Sequence, residues 1–551
     1  MKTLKIKHSA VYFLLSLLNS FTFAQVPSVE WSRTFDGAGL HDEAKFVRLD
    51  AQGNIIVTGT TNSGTSSTYV DVITRKYAPN GDLLWSHKWN NDNLNFSDYP
   101  RDMDITPDNS IIVTGYSKID ASSSNNSDMF VFALDADGNL LWSDSIRGSG
   151  YLSGSININQ NRGTSLQITA SGDIIITGSS SGNGTTEFDQ MLLVKYNLSG
   201  HRQWLRYFNN SNIHEYADYG QSVGVDAAGN AYVCGVTTLT TTWRDMAVWK
   251  IDSNGDFRWI NTIPGPVNNT SEQFDNINVD ANGNSYSLGI NSNVKFYLAK
   301  HDSTGAKQWD YVFDTVNVNN TASFTGADMP LVLDNSGNLI VAVNMNTQMG
   351  VAKFSPDGNL LWLKLYGGTG QWSNHVYHVV TDANNNIYVA GSYSNAGSSY
   401  FDLGAFKLDE NGNQLWSYSY DGPNNQNDKA HSIAIAQDGS IYLAGFSSGH
   451  SASADLYLVK LQQSPTSSIA TPITNNLITI YPNPASNIVT INNIPSHSTI
   501  SIIDMTGKLI YFATNSNTQE TINTENLVNG VYFIQVENNN SVTNSKLVVN
   551  K

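Results

Sequence analysis

Eight tryptophans divide most of this chain into near-equal lengths. Trp31, Trp85, Trp142, Trp204, Trp259, Trp309, Trp362 and Trp416 follow one another at steps of 50–62 residues. A fixed period of this length is the mark of a solenoid, a propeller or an array. In such folds each unit buries its apolar face against the next unit, so the interval itself limits the architecture.

More than tryptophan recurs. Turn signals stand just before it, as in Pro79-Asn80-Gly81-Asp82-Leu83-Leu84-Trp85 and Asp135-Ala136-Asp137-Gly138-Asn139-Leu140-Leu141-Trp142. A second turn falls mid-repeat, as in Asp50-Ala51-Gln52-Gly53-Asn54 and Asp226-Ala227-Ala228-Gly229-Asn230. Asp or Asn close to Gly suits a tight turn, because Gly accepts positive φ and the Asx side chain bonds nearby backbone. Between turns lie short β-branched runs such as Ile55-Ile56-Val57-Thr58-Gly59 and Ile174-Ile175-Ile176-Thr177-Gly178, which read as strands. Each repeat then holds four strands, ending on the tryptophan strand. The expected fold is all-β, an eight-bladed β-propeller over residues 25–463. The lone N-terminal strand Val29–Phe35 is expected to complete the last blade and close the ring, which removes free sheet edges. Seven blades with a stray repeat is the alternative.

The first residues give Lys2, Lys5 and Lys7, an apolar run from Ala10 to Leu18, and Thr22-Phe23-Ala24. This pattern reads as a signal peptide, residues 1–24, cut after Ala24. No later segment is long and apolar enough to span a membrane as a helix. The net charge is −17, which disfavours nucleic acid as a partner. The single cysteine, Cys234, allows no internal disulfide and reads as a core residue.

Residues 464–474 form a Ser/Thr/Pro-rich linker. Residues 475–551 read as a small β-sandwich, with strands near Leu477–Tyr481, Ile488–Ile491, Thr499–Asp504, Lys508–Ala513, Gly530–Glu537 and Ser541–Val549.

The repeat, with its Gly-Asn-hydrophobic-Val-Thr-Gly strand, its Asp opening the third strand (Asp71, Asp128, Asp245, Asp402, Asp455) and its Asp-x-x-Gly-x-x-x-Trp turn, resembles the bacterial β-propeller repeat called SBBP. Lys295 and Gln348 stand at the Asp position in the fifth and sixth repeats. The repeat is also similar to the pyrroloquinoline-quinone-type propeller repeat. The tail resembles the type A C-terminal sorting domain of the type IX secretion system of Bacteroidota. The motifs are Tyr481-Pro482-Asn483-Pro484, the turn at Gly507, Gly530-Val531-Tyr532, and Lys546 in the last strand. That resemblance implies export through the periplasm, handling by the type IX machinery, and delivery to the outer surface or the medium.

Strand alternation places the long connections on one face of the ring, where binding residues are expected. Eight residues before each mid-repeat turn stand Asp42, Asp98, Asn161, Asp218, Glu272, Gly326, Asn374 and Asp428. This column is expected near the channel mouth. Its oxygens suit a cation or a polar ligand, or else backbone amides at each blade crossing. Asp42, Asp98, Asp218, Glu272, Asp428, His214, Trp243 and Trp372 are the candidate ligand-binding residues. His41, His375, His378 and His431 lie on the same side without a metal-ligand spacing. No Gly-x-Ser-x-Gly, phosphate-loop or His-Glu-x-x-His motif occurs. The expected function is binding of a glycan, protein or matrix ligand by an exported monomer without a cofactor or a catalytic site. The rival is an exported polysaccharide hydrolase or lyase, or a quinone-type enzyme.

Overall fold

The computed structural model describes residues 26–463 and 478–551, apart from 38–39, 63–68, 92–95, 120–125, 148–160, 182–188, 209–217, 239–243, 264–271, 292–294, 313–329, 346–347, 368–373, 395–399, 450–452, 497, 505–507, 516 and 539–540. The signal peptide and linker expected from the sequence lie outside the described residues. The chain divides into two units, Met1–Ser464 and Pro465–Lys551. Among the described residues no helix is long and apolar enough to cross a membrane.

The first unit is a ring of eight four-stranded antiparallel sheets among the described residues. Blade 1 is β2 (Glu43–Leu49), β3 (Ile55–Asn62), β4 (Val70–Tyr77) and β5 (Leu83–Trp89). The first strands of blades 2 to 8 are Asp98–Ile105, Arg162–Ile168, Tyr219–Val225, Gln273–Val279, Leu331–Leu333, His375–Thr381 and Asp428–Ile435. In blade 8 the outer strand is the N-terminal β1 (Ser28–Phe35), paired antiparallel with Ala454–Gln462. Each blade touches the next, and blade 8 touches blade 1.

The burial pattern explains the sequence pattern. The second strand, Ile55–Asn62, is buried at every residue, as is Ala231–Thr237. A middle strand has neighbouring blades on both faces, so its residues read as a continuous apolar run rather than an alternation. The first strand is buried only at Ala44 and Val47, on either side of its bulge, and the outer strand is largely exposed. The glycine ending the Val-Thr-Gly run has its own cause. The first strand bulges between Ala44 and Phe46 and presses its chain onto the second. A Cβ at Gly59 would sit 1.9 Å from the Glu43 carbonyl oxygen, and one at Gly178 would sit 1.8 Å from that of Arg162. No other residue fits there.

The eight tryptophans lie between blades, but most are not core residues. Trp31, Trp204 and Trp416 are buried, whereas Trp85, Trp142, Trp259, Trp309 and Trp362 are half-buried. Seven of the indoles, all but Trp416, cover the glycine of the following blade's outer turn. A Cβ at Gly138 would lie 2.5 Å from Trp85, and one at Gly81 would lie 2.8 Å from Trp31. The Nε1–H of these seven indoles also donates to that turn. Trp85 reaches the Ala136 carbonyl at 2.9 Å, Trp309 reaches Pro356 at 3.1 Å, and Trp31 reaches Pro79 at 3.1 Å. A lysine on the third strand shares the acceptor: Lys76 donates to Ala136 at 3.0 Å and Lys460 to Pro79 at 3.2 Å. The lysine charge is met by the mid-repeat aspartate. Lys76 pairs with Asp50 at 2.8 Å and Lys353 with Asp334 at 2.9 Å, all four side chains being buried. A buried pair of this kind holds only because further hydrogen bonds satisfy both ions.

The second unit has two sheets. One joins Thr479–Tyr481, Ile488–Asn492 and Gln519–Asn523; the other orders Leu509–Asn515, Ser498–Asp504, Gly530–Asn538 and Ser541–Val549. The strand Gln519–Asn523 is absent from the sequence reading. It is short, polar and Thr-containing, with only Ile522 turned into the core. Ile478, Val489, Ile491, Ile500, Ile502, Ile534 and Leu547 fill the space between the sheets.

Candidate binding site at the channel mouth

The first strands stand innermost and touch their neighbours around the ring. On three of them a side chain ties the strand to the next blade. Asp102 Oδ2 accepts the Leu166 amide at 2.8 Å, His378 Nδ1 accepts the Ile433 amide at 3.1 Å, and Ser432 Oγ accepts the Val47 amide at 3.2 Å. These amides are exposed by the bulge, so a side chain of the adjacent blade satisfies them. Burial pushes His378 down to about 3, so it stands here as a neutral acceptor. Burial likewise lifts Asp102 to about 6, against the opposing charge of Arg48.

The column of acids lies at the start of these strands but is turned into the blades. Asp42, Asp218 and Asp428 are fully buried, and Asp98 and Glu272 nearly so. Asp42 accepts the Gly37 amide at 2.7 Å and the Asn62 amide at 3.1 Å. Asp428 accepts Gly422 at 2.7 Å and Ser448 at 3.1 Å, and Asp218 accepts Thr238 at 3.1 Å. Asn374 accepts Ser394 at 2.8 Å. Each therefore joins the incoming chain to the end of the second strand. Of the two readings open for this column, a cation or polar ligand and backbone amides at the blade crossing, the bonds of Asp42, Asp218, Asn374 and Asp428 match the second. The reason is that the blade-to-blade connection leaves backbone amides that an Asx oxygen satisfies at short range. Asp36, Asp42 and Asp455 do gather within 4.8 Å of one another, with the Asp42 oxygens already accepting amides. His214, Trp243, Trp372 and Gly326 lie outside the described residues.

Cations and aromatics gather at the same end of the blades as the buried acids. On blade 2, Tyr99 stacks on Tyr116 at 5.1 Å between centroids. Arg101 lies 5.2 Å from the Tyr116 ring, and Arg162 of blade 3 lies 4.8 Å from the same ring. Lys118 stands 5.9 Å from the Tyr99 ring. Across the opening, the Lys429 ammonium lies 5.8–5.9 Å from Tyr377, Phe401 and Phe446. Glu43 pairs with Lys45 at 2.7 Å and lies 3.5 Å from His431 Nε2. Burial alone would raise Glu43, but His41, His431 and Lys45 together hold it well below the usual carboxylate range. The mouth is thus lined with cations and aromatics in a chain whose overall charge is acidic. These positions differ from blade to blade, so no repeated column marks them in the sequence.

In the second unit the motif residues meet. Asn483 donates to the Lys546 carbonyl at 2.6 Å and accepts the Val548 amide at 2.8 Å. Tyr532 is buried and donates to the Val528 carbonyl at 3.0 Å. Gly530 opens the strand beside the last one. The bonds to Pro482 and Pro484 are cis, and Tyr481 is exposed. Gly507 lies outside the described residues.

Residues 479–550 match the secretion system C-terminal sorting domain family, and residues 203–238 match the SBBP β-propeller repeat. Those two stretches are thus similar to a sorting tail and a propeller repeat. Such a tail marks a chain for export through the periplasm to the outer cell surface or the medium, and implies handling by the type IX machinery. Solved structures give distant likenesses only. PorZ, an essential surface component of the type IX secretion system of Porphyromonas gingivalis, aligns at 13% identity and TM-score 0.33, over 92% of this chain and 81% of that one. An inactive virginiamycin B lyase of Staphylococcus aureus aligns at 9% and 0.37, over 66% and 96%. A Dyadobacter fermentans protein of unknown function aligns at 9% and 0.37, over 79% and 99%. No match is found among curated protein sequences.

Proposed function

We propose that this protein is a non-catalytic recognition module, carried outside the cell by its sorting tail, that holds an extracellular glycan or protein at the channel mouth. One observation carries the proposal. Among the described residues every mid-repeat and outer turn is tight and lies at one end of the strands, while the cation–aromatic groups lie at the other. A rigid ring that concentrates its variation on one face is built for recognition. Among the described residues the lining offers aromatic rings and positive charge but no nucleophile–base pair. The test is an array of glycans and extracellular proteins probed with the purified full chain, run beside hydrolysis and elimination assays on polysaccharides. Saturable binding without product formation is the expected result. Turnover of any substrate that is lost when a mouth residue is changed overturns the proposal in favour of an enzyme.

A further inference from the structure

We infer that Arg101, Lys118 and Arg162, set around the stacked pair Tyr99–Tyr116, form a subsite for an anionic sugar residue, a uronate or a sulfated hexose, within an acidic polysaccharide. The inference deepens the recognition reading above and rests on it.

Three cations meet at two tyrosine rings where blades 2 and 3 adjoin. Arg101 and Tyr99 come from the first strand of blade 2, Tyr116 and Lys118 from its second strand Ile111–Lys118, and Arg162 from the first strand of blade 3. Like charges this close repel, and a chain with 47 acidic and 30 basic residues has ample means to neutralise them. It does not do so here. Among the described residues, none of the three side chains makes an ion pair or a hydrogen bond. The Arg162 Nε is buried and has no hydrogen-bond partner.

The nearby carboxylates are engaged elsewhere. Asp98 is turned into the blade towards the Asn91 amide, Asp128 pairs with Arg147 at 3.1 Å, and Asp102 accepts Leu166 from the next blade. The tyrosines hold the guanidinium groups by their ring faces, which leaves N–H donors unspent. Unspent, partly desolvated guanidinium donors match a carboxylate or sulfate through paired N–H···O bonds.

Three features select a sugar. The patch spans only two blades, so it suits one compact anion rather than an extended phosphate backbone. The chain around it is strongly acidic, and a nucleic acid lying across the face would meet that repulsion. The tyrosines beside the donors add hydroxyl groups that can hydrogen-bond the hydroxyls of a pyranose ring.

The experiment measures binding of the purified full chain to polygalacturonate, dextran sulfate and neutral dextran by affinity electrophoresis and calorimetry. Binding to at least one of the two acidic polymers, weakened by salt and absent for neutral dextran, is expected. The double variant R101Q/R162Q should lose at least tenfold in affinity with its melting temperature unchanged. R101K/R162K should fall between it and the native chain, because lysine keeps the charge but not the paired donors. K307Q, on the opposite rim, should bind as the native chain does.

Equal binding by R101Q/R162Q, or tighter binding of single-stranded DNA than of both acidic glycans, overturns the inference. So does saturable binding of a neutral glycan or a protein that ignores these variants, and that result leaves the recognition reading standing. Failure of both readings looks different: no component of the array binds at all.

Discussion

Gln463 supplies from its side chain the acceptor that Trp416 finds nowhere else in the blade it faces. In the other blade junctions the indole donates to the turn between third and outer strands. Blade 8 has no such turn, because its third strand and its outer strand come from opposite regions of the chain. The Gln463 Oε1 takes the place of the missing carbonyl. It lies 3.4 Å from Trp416 Nε1 and 2.9 Å from Lys407 Nζ, while its Nε2 donates to Gly439 at 2.7 Å.

Gln463→Ala should therefore destabilise the ring by about 1–3 kcal/mol, since Lys407 and Trp416 lose a half-buried acceptor. Gln463→Glu should cost less, because it keeps the oxygen and adds a charge opposite Lys407. Urea unfolding of the three proteins checks the order. Equal stability of the alanine and glutamate variants would contradict the role of the oxygen.

Two glycines with similar backbone separate strain from contact. Gly53 has φ +79° and nothing near its Cβ direction, whereas Gly138 has φ +85° and the Trp85 indole at 2.5 Å. Gly53→Ala should cost about 1–2 kcal/mol from left-handed strain alone. Gly138→Ala should cost about 1–3 kcal/mol more, because the indole must leave its seat. The gap should close in a Trp85→Ala background, measured as a double-mutant cycle.

Burial lifts the Asp98 carboxyl to about 7, against the opposing bonds from Ser117 and the Asn91 amide. An unfolded aspartate titrates near 3.9. Between those values the folded state binds the proton more tightly than the unfolded state. The contribution of Asp98 is then complete below pH about 4 and is lost as pH rises through about 7. Asp98→Asn should raise the melting temperature at pH 8 and change it little at pH 4.5. Blades 3 and 7 already carry Asn161 and Asn374 at this place. A larger gain at the lower pH would reverse the assignment.

Asn483 clamps the last strand from both sides of its amide. Asn483→Ala should loosen the C-terminal unit by about 1–3 kcal/mol. Asn483→Asp should retain the bond from the Val548 amide but lose the one to the Lys546 carbonyl. Hydrogen exchange at Val548 reports the difference: protection should fall in the alanine variant more than in the aspartate variant.

Much of the fold was legible because its parts repeat. The tight turns, the four strands per repeat and the closing strand each follow from local chemistry written eight times. The column of Asp42, Asp98, Asp218, Glu272 and Asp428 was visible for the same reason, but its direction was not. A repeated polar residue reads alike whether it faces solvent or a backbone amide, and only the amides left by the blade-to-blade connection turn it inwards. The spacing marks the tryptophans, but not the seat that seven of them take on the next blade's glycine. Gln519–Asn523 was missed because one inward isoleucine gives no alternation to detect.

The order of strands in each blade and the motifs of the tail are properties of the sequence itself, because short-range turn chemistry and periodic burial need no distant partner. The meeting of Arg101 and Arg162 at Tyr116, and the substitution of Gln463 for an absent turn, belong to the tertiary structure alone. Both depend on residues of different blades reaching the same few ångströms, and only closure of the ring fixes which blades are neighbours.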